Sequence, residues 1–166
     1  MSELINERVC AEVDGEVVVF LIGMRINKLW KVWKWWPIFI AMPKMLKELA
    51  AHPELGLLSA RGHYGLRSFS ILQYWKSAKH LLAYAHSENN VHLPAWQSFN
   101  QKVGTSGDVG IWHETYVVPA GCAESVYVNM PRYGLGLAGH VFPAKGHRAT
   151  AAKRLARMTP DRQSSS

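Results

Sequence analysis

Helical stretches alternating with strands that are apolar on both faces predict a small α+β sandwich, with the helices covering one face of a sheet. Three observations carry this expectation. The run EVVVFLIGMRI, residues 16–26, is almost wholly apolar and rich in β-branched residues, as a strand in the middle of a sheet must be. Trp35, Ile38, Met42, Met45 and Leu49 recur at three- and four-residue spacing and mark one stripe of a helix within residues 29–51. The elements then read strand, helix, strand, helix, strand, strand along 166 residues, enough for one domain with its own core.

The first strand presents Val18, Phe20, Ile22 and Met24 to one side and Val17, Val19 and Leu21 to the other. With both helices on one side, the second side needs a cover. A partner subunit's sheet supplies it, so a homodimer is expected with a pocket at or beside the sheet. Gly23 marks a close approach or a bulge. Pro37 is expected to open the main helix and Pro43 to kink it unless it too lies near a start. A short segment covers residues 57–64 and a clearer strand residues 68–75. Ser77 is placed to cap a helix over residues 78–86, and a further helical piece is expected over 92–103. The turn GTSGD at 104–108 feeds a strand over 109–118. A strand at 124–130 and the glycine-rich loop PRYGLGLAG at 131–139 follow. Residues 1–15 read as an N-terminal extension, 16–144 as the domain, and 145–166 as a basic, flexible tail.

Nineteen Lys and Arg against twelve Asp and Glu give a net charge of +7, but residues 145–166 hold six of the basic side chains and a single Asp. With the excess charge confined to the tail and no recognised module, a nucleic-acid partner is not expected. Cys10 and Cys122 make neither a disulfide framework nor a metal motif, and the charged N-terminus lacks an apolar signal core, so a reducing, cytoplasmic setting is expected. The apolar run at 35–43 is far short of the roughly 20 residues that span a bilayer. The cluster KLWKVWKWWP at 28–37 has two readings: a helix entry packed on its own sheet or on a partner, or weak contact with a membrane surface.

The stretch GIWHETYVV, residues 110–118, gathers the groups most suited to chemistry. Strand alternation puts His113 with Ile111, Thr115 and Val117, and sends Trp112, Glu114 and Tyr116 to the other face. His113 and Glu114 therefore do not act on the same bound molecule. His113 is the expected general base, since imidazole can take a proton from an acidic C–H or a phenol near neutral pH. Tyr127 and Asn129 are expected to share a strand face and hold a substrate carbonyl or a peroxy oxygen, with Arg132 offering positive charge to an enolate, a phenolate or a haem propionate. Tyr74, Trp75, Trp112 and Tyr116 are expected to line the substrate, while His80 and His92 are candidate cofactor ligands. Each has a structural alternative as core or interface filling. The eight histidines form no HxxxH or HExxH pattern, so no metal site is expected. GLGLAG follows no βαβ unit and is not read as a phosphate cradle, and no GxSxG elbow is present.

The blocks GMRINKLWKVWKW…MPKMLKEL, SILQYWKSAKHLLAYA, HLPAWQSFN, GDVGIWHETY and YVNMPRYGLGLAG resemble a monooxygenase-like family related to the fumagillin-pathway polyketide monooxygenase, over about residues 16–144. The resemblance implies a ferredoxin-like sandwich forming a dimeric α+β barrel. It also implies an enzyme that oxidises a small hydrophobic aromatic or polyketide-like metabolite with no required cofactor. The wider superfamily includes haem-degrading enzymes and aldoxime dehydratases, so one alternative is a haem-dependent enzyme with His80, His92 or His113 as axial ligand. Another is a non-catalytic protein that binds hydrophobic ligands. The resemblance brings no catalytic set residue by residue, and the site rests on strand geometry.

Overall fold

The computed structural model describes residues 3–87 and 104–156, together with Gln97 and Gln101. Four strands form one antiparallel sheet: β2 (Val17–Ile26), β3 (Leu57–Tyr64), β4 (Ser68–Trp75) and β5 (Val109–Val118), in the order β3-β4-β2-β5. Helix α1 (Val32–Ala51) links β2 to β3 and α2 (Ala78–His86) lies between β4 and β5. Two β-α-β units interleaved in one antiparallel sheet make the ferredoxin-like arrangement. Apolar β2 is one of its two inner strands, paired with β5 over Val17–Ile26 and with β4 from Val18 to Arg25.

Both helices lie on one face. Val18 and Trp75 pack with Leu49, Leu81 and Tyr84, and Met24, Ile26 and Val109 pack with Trp35, Ile38 and Phe39. The expected stripe of α1 is therefore the buried one, but the helix starts at Val32 rather than Pro37 and runs through both prolines. Its entry is held by contacts that do not need the missing proline N–H groups. The Trp35 Nε1–H donates to the Leu29 carbonyl at 3.0 Å, and Lys28 before the helix, Lys31 at its N-cap and Lys34 in its first turn grip one aspartate. Ser77 caps α2, its Oγ accepting from the His80 N–H at 3.4 Å.

The second face is covered within the chain at one end. The stretch read as an extension supplies β1 (Ile5–Glu12), the middle strand of a second antiparallel sheet flanked by β6 (Tyr127–Met130) and β7 (His140–Pro143). Ala11 of β1 and Leu135 of a one-turn helix, α3 (Leu135–Ala138), pack on Val17, Tyr74 and Val118. Part of the stretch read as a tail is folded as well. Arg148 bonds Glu12, and Arg154 of α4 (Ala151–Ala156) is buried against Glu124. The helical piece expected at 92–103 lies outside the described residues, apart from helical positions 97 and 101.

Asp108, just before β5, is 1% exposed and receives Lys28 Nζ at 2.8 Å, Lys31 Nζ at 2.9 Å and Lys34 Nζ at 2.6 Å. Its carbonyl accepts the Asn27 and Lys28 N–H groups, so backbone and side chain together tie the end of β2, the start of α1 and the start of β5. Hydrogen bonds from Lys28, Lys34 and Lys31 hold its carboxyl well below the usual carboxylate range. A folded-state pKa below the unfolded value of about 3.9 gives stability that is present above that value and is lost as pH falls beneath it. The stability difference between wild type and Asp108→Asn should accordingly be constant from neutral pH to about 5 and shrink below about 4. Urea unfolding across that pH series measures it, and a difference that grows on acidification would contradict the assignment.

Candidate functional site on the open sheet face

Pairing registers lay the residues of the helix-free face out in rows across the four strands. Tyr116, Val19, Tyr74 and Ser59 form one row; Glu114, Leu21, Leu72 and Arg61 the next; Trp112, Gly23, Ser70 and His63 the third. Three strand spacings of roughly 4.8 Å separate β5 from β3, so the face is about 14 Å wide. Its floor is apolar or small, its β5 side carries Trp112, Glu114 and Tyr116, and its β3 side carries Arg61 and His63.

Gly23 lies in the floor beneath the Trp112 indole, and a side chain there would have to displace that ring. A Cβ at this position would sit 2.6 Å from the Trp112 indole, which lies flat over the glycine. This is the close approach expected from a glycine inside an apolar strand. On the same edge the Tyr116 hydroxyl donates to the Glu114 carboxylate at 2.8 Å, and that bond pushes the Tyr116 phenol up.

The loop after β6 closes one end of the face. His63 Nε2 and the Tyr133 hydroxyl are 2.6 Å apart, and the Arg61 guanidinium stands over the Tyr133 ring, 5.1 Å from its centre. Gly134, at φ +52°, lets the chain turn where a Cβ would lie 3.3 Å from the Tyr74 hydroxyl and 3.5 Å from that of Tyr127. Burial chiefly, and the phenols of Tyr127 and Tyr133 secondarily, push the Tyr74 phenol up, while the Leu135 backbone pulls the other way. Tyr74 is thus a neutral O–H donor throughout the physiological range. Three tyrosines, a histidine and an arginine from β3, β4, β6 and the loop meet at this corner.

The structure distributes the expected site residues unequally. Tyr74 and Tyr127 come together, and Trp112 and Tyr116 line the same face from the opposite edge. Trp75 is corrected: one residue on from Tyr74, it faces the helices, is 1% exposed and donates its Nε1–H to Gln73 at 2.9 Å, so it is core. His113 lies on the helix side too, its ring 5.7 Å from Phe20 and exposed, so the sheet separates it from Tyr127. Asn129 does not keep strand alternation with Tyr127. It adopts φ +53° where the β1–β6 register shifts, and it is exposed, as is Arg132 at the loop start. His80 holds the first turn of α2, its Nδ1 2.7 Å from Ser77 Oγ and its ring against Gly56, where a Cβ would be 2.6 Å away. His92 lies outside the described residues.

Arg61, His63 and Tyr133 are the members that sequence reading does not single out. The available signal was the alternation Ser59, Arg61, His63 in the short segment before β4, which puts polar groups on the face shared with Tyr74. Two cavities open elsewhere. One of about 170 Å³ is lined by Cys10, Glu12, Glu124 and Arg154, and one of about 460 Å³ by Asp14, Pro53, Lys76 and His140. The first is bordered by the Arg154–Glu124 ion pair, and neither includes an expected catalytic residue. Among the described residues, no group of three or more His, Cys, Asp and Glu is placed to hold a metal ion.

Residues 17–135 match the sequence profile described as monooxygenase af470-like, which spans most of the chain. The chain belongs to the monooxygenase af470-like family. The curated relative monooxygenase af470 of Aspergillus fumigatus is 29% identical over 78% of this chain, which spans about half (53%) of that relative's length. Among solved structures, SnoaB, a cofactor-independent oxygenase from Streptomyces nogalater, is 10% identical, with a TM-score of 0.44 over 61% of this chain and 91% of its own. A dimeric ferredoxin-like protein of unknown function from Jannaschia sp. CCS1 is 20% identical, with a TM-score of 0.42 over 58% and 97%. The family profile covers β2 to the start of α3, and so includes every strand of the four-stranded sheet and the corner built from Tyr74, Tyr127 and Tyr133.

The Gly23–Trp112 contact can be measured directly. Gly23→Ala should destabilise by about 1–3 kcal/mol through overpacking. In a double-mutant cycle much of that cost should vanish on a Trp112→Ala background. Additive effects in urea titrations would mean the indole does not rest on the glycine.

Proposed function

We propose that this family member is a monooxygenase whose substrate, a flat, electron-rich and largely apolar molecule, lies on the open face of the four-stranded sheet. The observation that carries the reading is the corner where Tyr74, Tyr127 and Tyr133 meet His63 and Arg61 at the end of an apolar floor. Trp112 offers an aromatic surface for a ring, and Leu21 and Leu72 offer apolar contact. His63 and Tyr133 are spaced for a proton relay. Tyr133 passes its proton to His63 Nε2 while its oxygen receives one from an acidic C–H or phenol of the substrate. Arg61 stabilises the negative charge that this creates, and the neutral Tyr74 hydroxyl, with the Tyr127 hydroxyl beside it, donates to the oxygen on which charge develops.

With a substrate methylene activated in this way, the substrate itself supplies the electrons. CH₂ and O₂ become C=O and water, one oxygen atom entering the product, with no external reductant. His113 is not assigned a step here, because the sheet stands between it and the tyrosines.

Oxygen uptake with a panel of phenols and polycyclic compounds bearing an acidic CH₂ tests the reading. His63→Ala and Tyr133→Phe should each slow turnover by about 10²–10⁴-fold, the range of a positioned acid–base group. His113→Ala should leave the rate within about twofold. Loss of turnover in His113→Ala with His63→Ala intact would move the reaction to the helix side of the sheet.

We also propose a homodimer that closes the open face. Trp112 at 40% and Tyr116 at 51% exposure, with half-buried Leu21 and Leu72 between strands, leave an apolar surface beyond the reach of the second sheet. Sedimentation equilibrium should give twice the monomer mass, and Trp112→Asp should return the protein to monomer. A wild-type monomer at tens of micromolar would refute the closure.

A further inference from the structure

The end of the domain where β2 runs into α1 carries large apolar side chains in water. Trp30 is 69%, Trp33 68% and Trp36 49% exposed, and in the β3–β4 hairpin Tyr64 is 76% and Leu66 93% exposed. These residues are distant in sequence but adjacent in the fold. The Ile26 N–H donates to the Arg67 carbonyl at 2.8 Å, which sets the hairpin turn beside the entry to α1. A chain of ring contacts then joins the two: Tyr64 to Phe69 at 6.1 Å, Phe69 to Phe39 at 5.0 Å, and Phe39 to Trp36 at 5.8 Å.

Among the described residues, the charged side chains that flank this patch and reach solvent are cationic. Lys28, Lys31 and Lys34 share the single carboxylate of Asp108, which is buried beneath them, and their side chains remain 41%, 29% and 23% exposed. Exposed Arg25 and Arg67 stand at the end of β2 and in the turn. The patch is thus a tryptophan and leucine surface within a rim of net positive charge. A second copy of the same patch would bring like charges together, and an apolar surface with a cationic rim matches the boundary between acyl chains and anionic headgroups. Among the described residues, no helix is long and apolar enough to cross a membrane, so contact at this end would be superficial.

We propose that this end of the domain docks on an anionic lipid surface. Trp30, Trp33 and Leu66 enter the headgroup–acyl boundary, and Lys28, Arg25 and Arg67 face the lipid phosphates. The surface shares β3 with the tyrosine corner, but Tyr64 points to the opposite sheet face from His63, and Trp30, Trp33 and Leu66 lie outside the four strands; this proposal is independent of the oxygenase reading.

Co-sedimentation with vesicles tests it, using phosphatidylcholine alone and phosphatidylcholine mixed with phosphatidylglycerol. The full chain should bind the mixed vesicles, bind the neutral ones at least about tenfold more weakly, and be released as salt is raised past the screening range. Leu66→Asp, in a fully exposed turn, and Trp30→Ser/Trp33→Ser, on another element, should each lower binding by about tenfold or more. Both variants should keep the wild-type far-UV spectrum and melting temperature, since neither touches a buried contact. Failure of the wild type to bind the mixed vesicles, equal binding to both vesicle types, or unchanged binding in both variants would overturn the proposal. So would sedimentation velocity showing that the same substitutions split a protein dimer, which would make the patch a protein interface.

Discussion

The strand Val17–Ile26 is hydrogen-bonded on both edges and apolar on both faces, and most of the architecture follows from covering it. One face is met by α1 and α2, whose apolar stripes bury Val18, Met24 and Ile26. The other is met only at one end, where the second sheet and the turn at 134–139 sit over Val17 and Tyr74. What the second sheet leaves uncovered, from Val19 and Leu21 to the Trp112 indole over Gly23, is the floor of the candidate site. The site is in this sense the part of the covering problem that a single chain leaves unsolved. Apolar surface of that kind is favourable to place against a ligand or a partner.

Much of this was legible from period-2 and period-3.6 patterns. The faces of Val109–Val118 follow from alternation and the stripe of α1 from helical spacing, while the Ser77 cap and the close approach at Gly23 follow from residue type. What alternation does not supply is the register between strands. Ser59, Arg61 and His63 acquire their neighbours only through pairing with β4, and that register shifts between Leu57 and Ser59. Trp75 shows the same rule misapplied: adjacent residues of a strand point to opposite faces, so it could not line a pocket together with Tyr74. Asn129 broke the pattern through a left-handed backbone at a register shift, which no side-chain periodicity records.

Two further elements were hidden for other reasons. The strand INERVCAE is charged over its exposed half and apolar only where it meets β7, so its composition resembles a solvated terminus. Pro37 looked like a helix start because a proline costs little there. The actual start is fixed by tertiary contacts, the lysines on Asp108 and the Trp35 indole on Leu29, which outweigh the local preference. The two stretches with the clearest tertiary role thus have the weakest local signal.

The position of β1 in the second sheet bears on the order in which the protein can assemble. It is the middle strand there, yet both of its partners lie near the other end of the chain, as does the Ser125 hydroxyl that bonds the Ala11 N–H. On a ribosome β1 emerges before both of its partners and must wait for them, while β2, β3 and β4 can already pair. The four-stranded sheet can therefore close before the roof over Tyr74 exists, and Tyr127 and Tyr133 arrive among the last pieces. A nascent chain stalled short of residue 127 would carry the floor of the site and its β5 edge without the corner that gives it polarity.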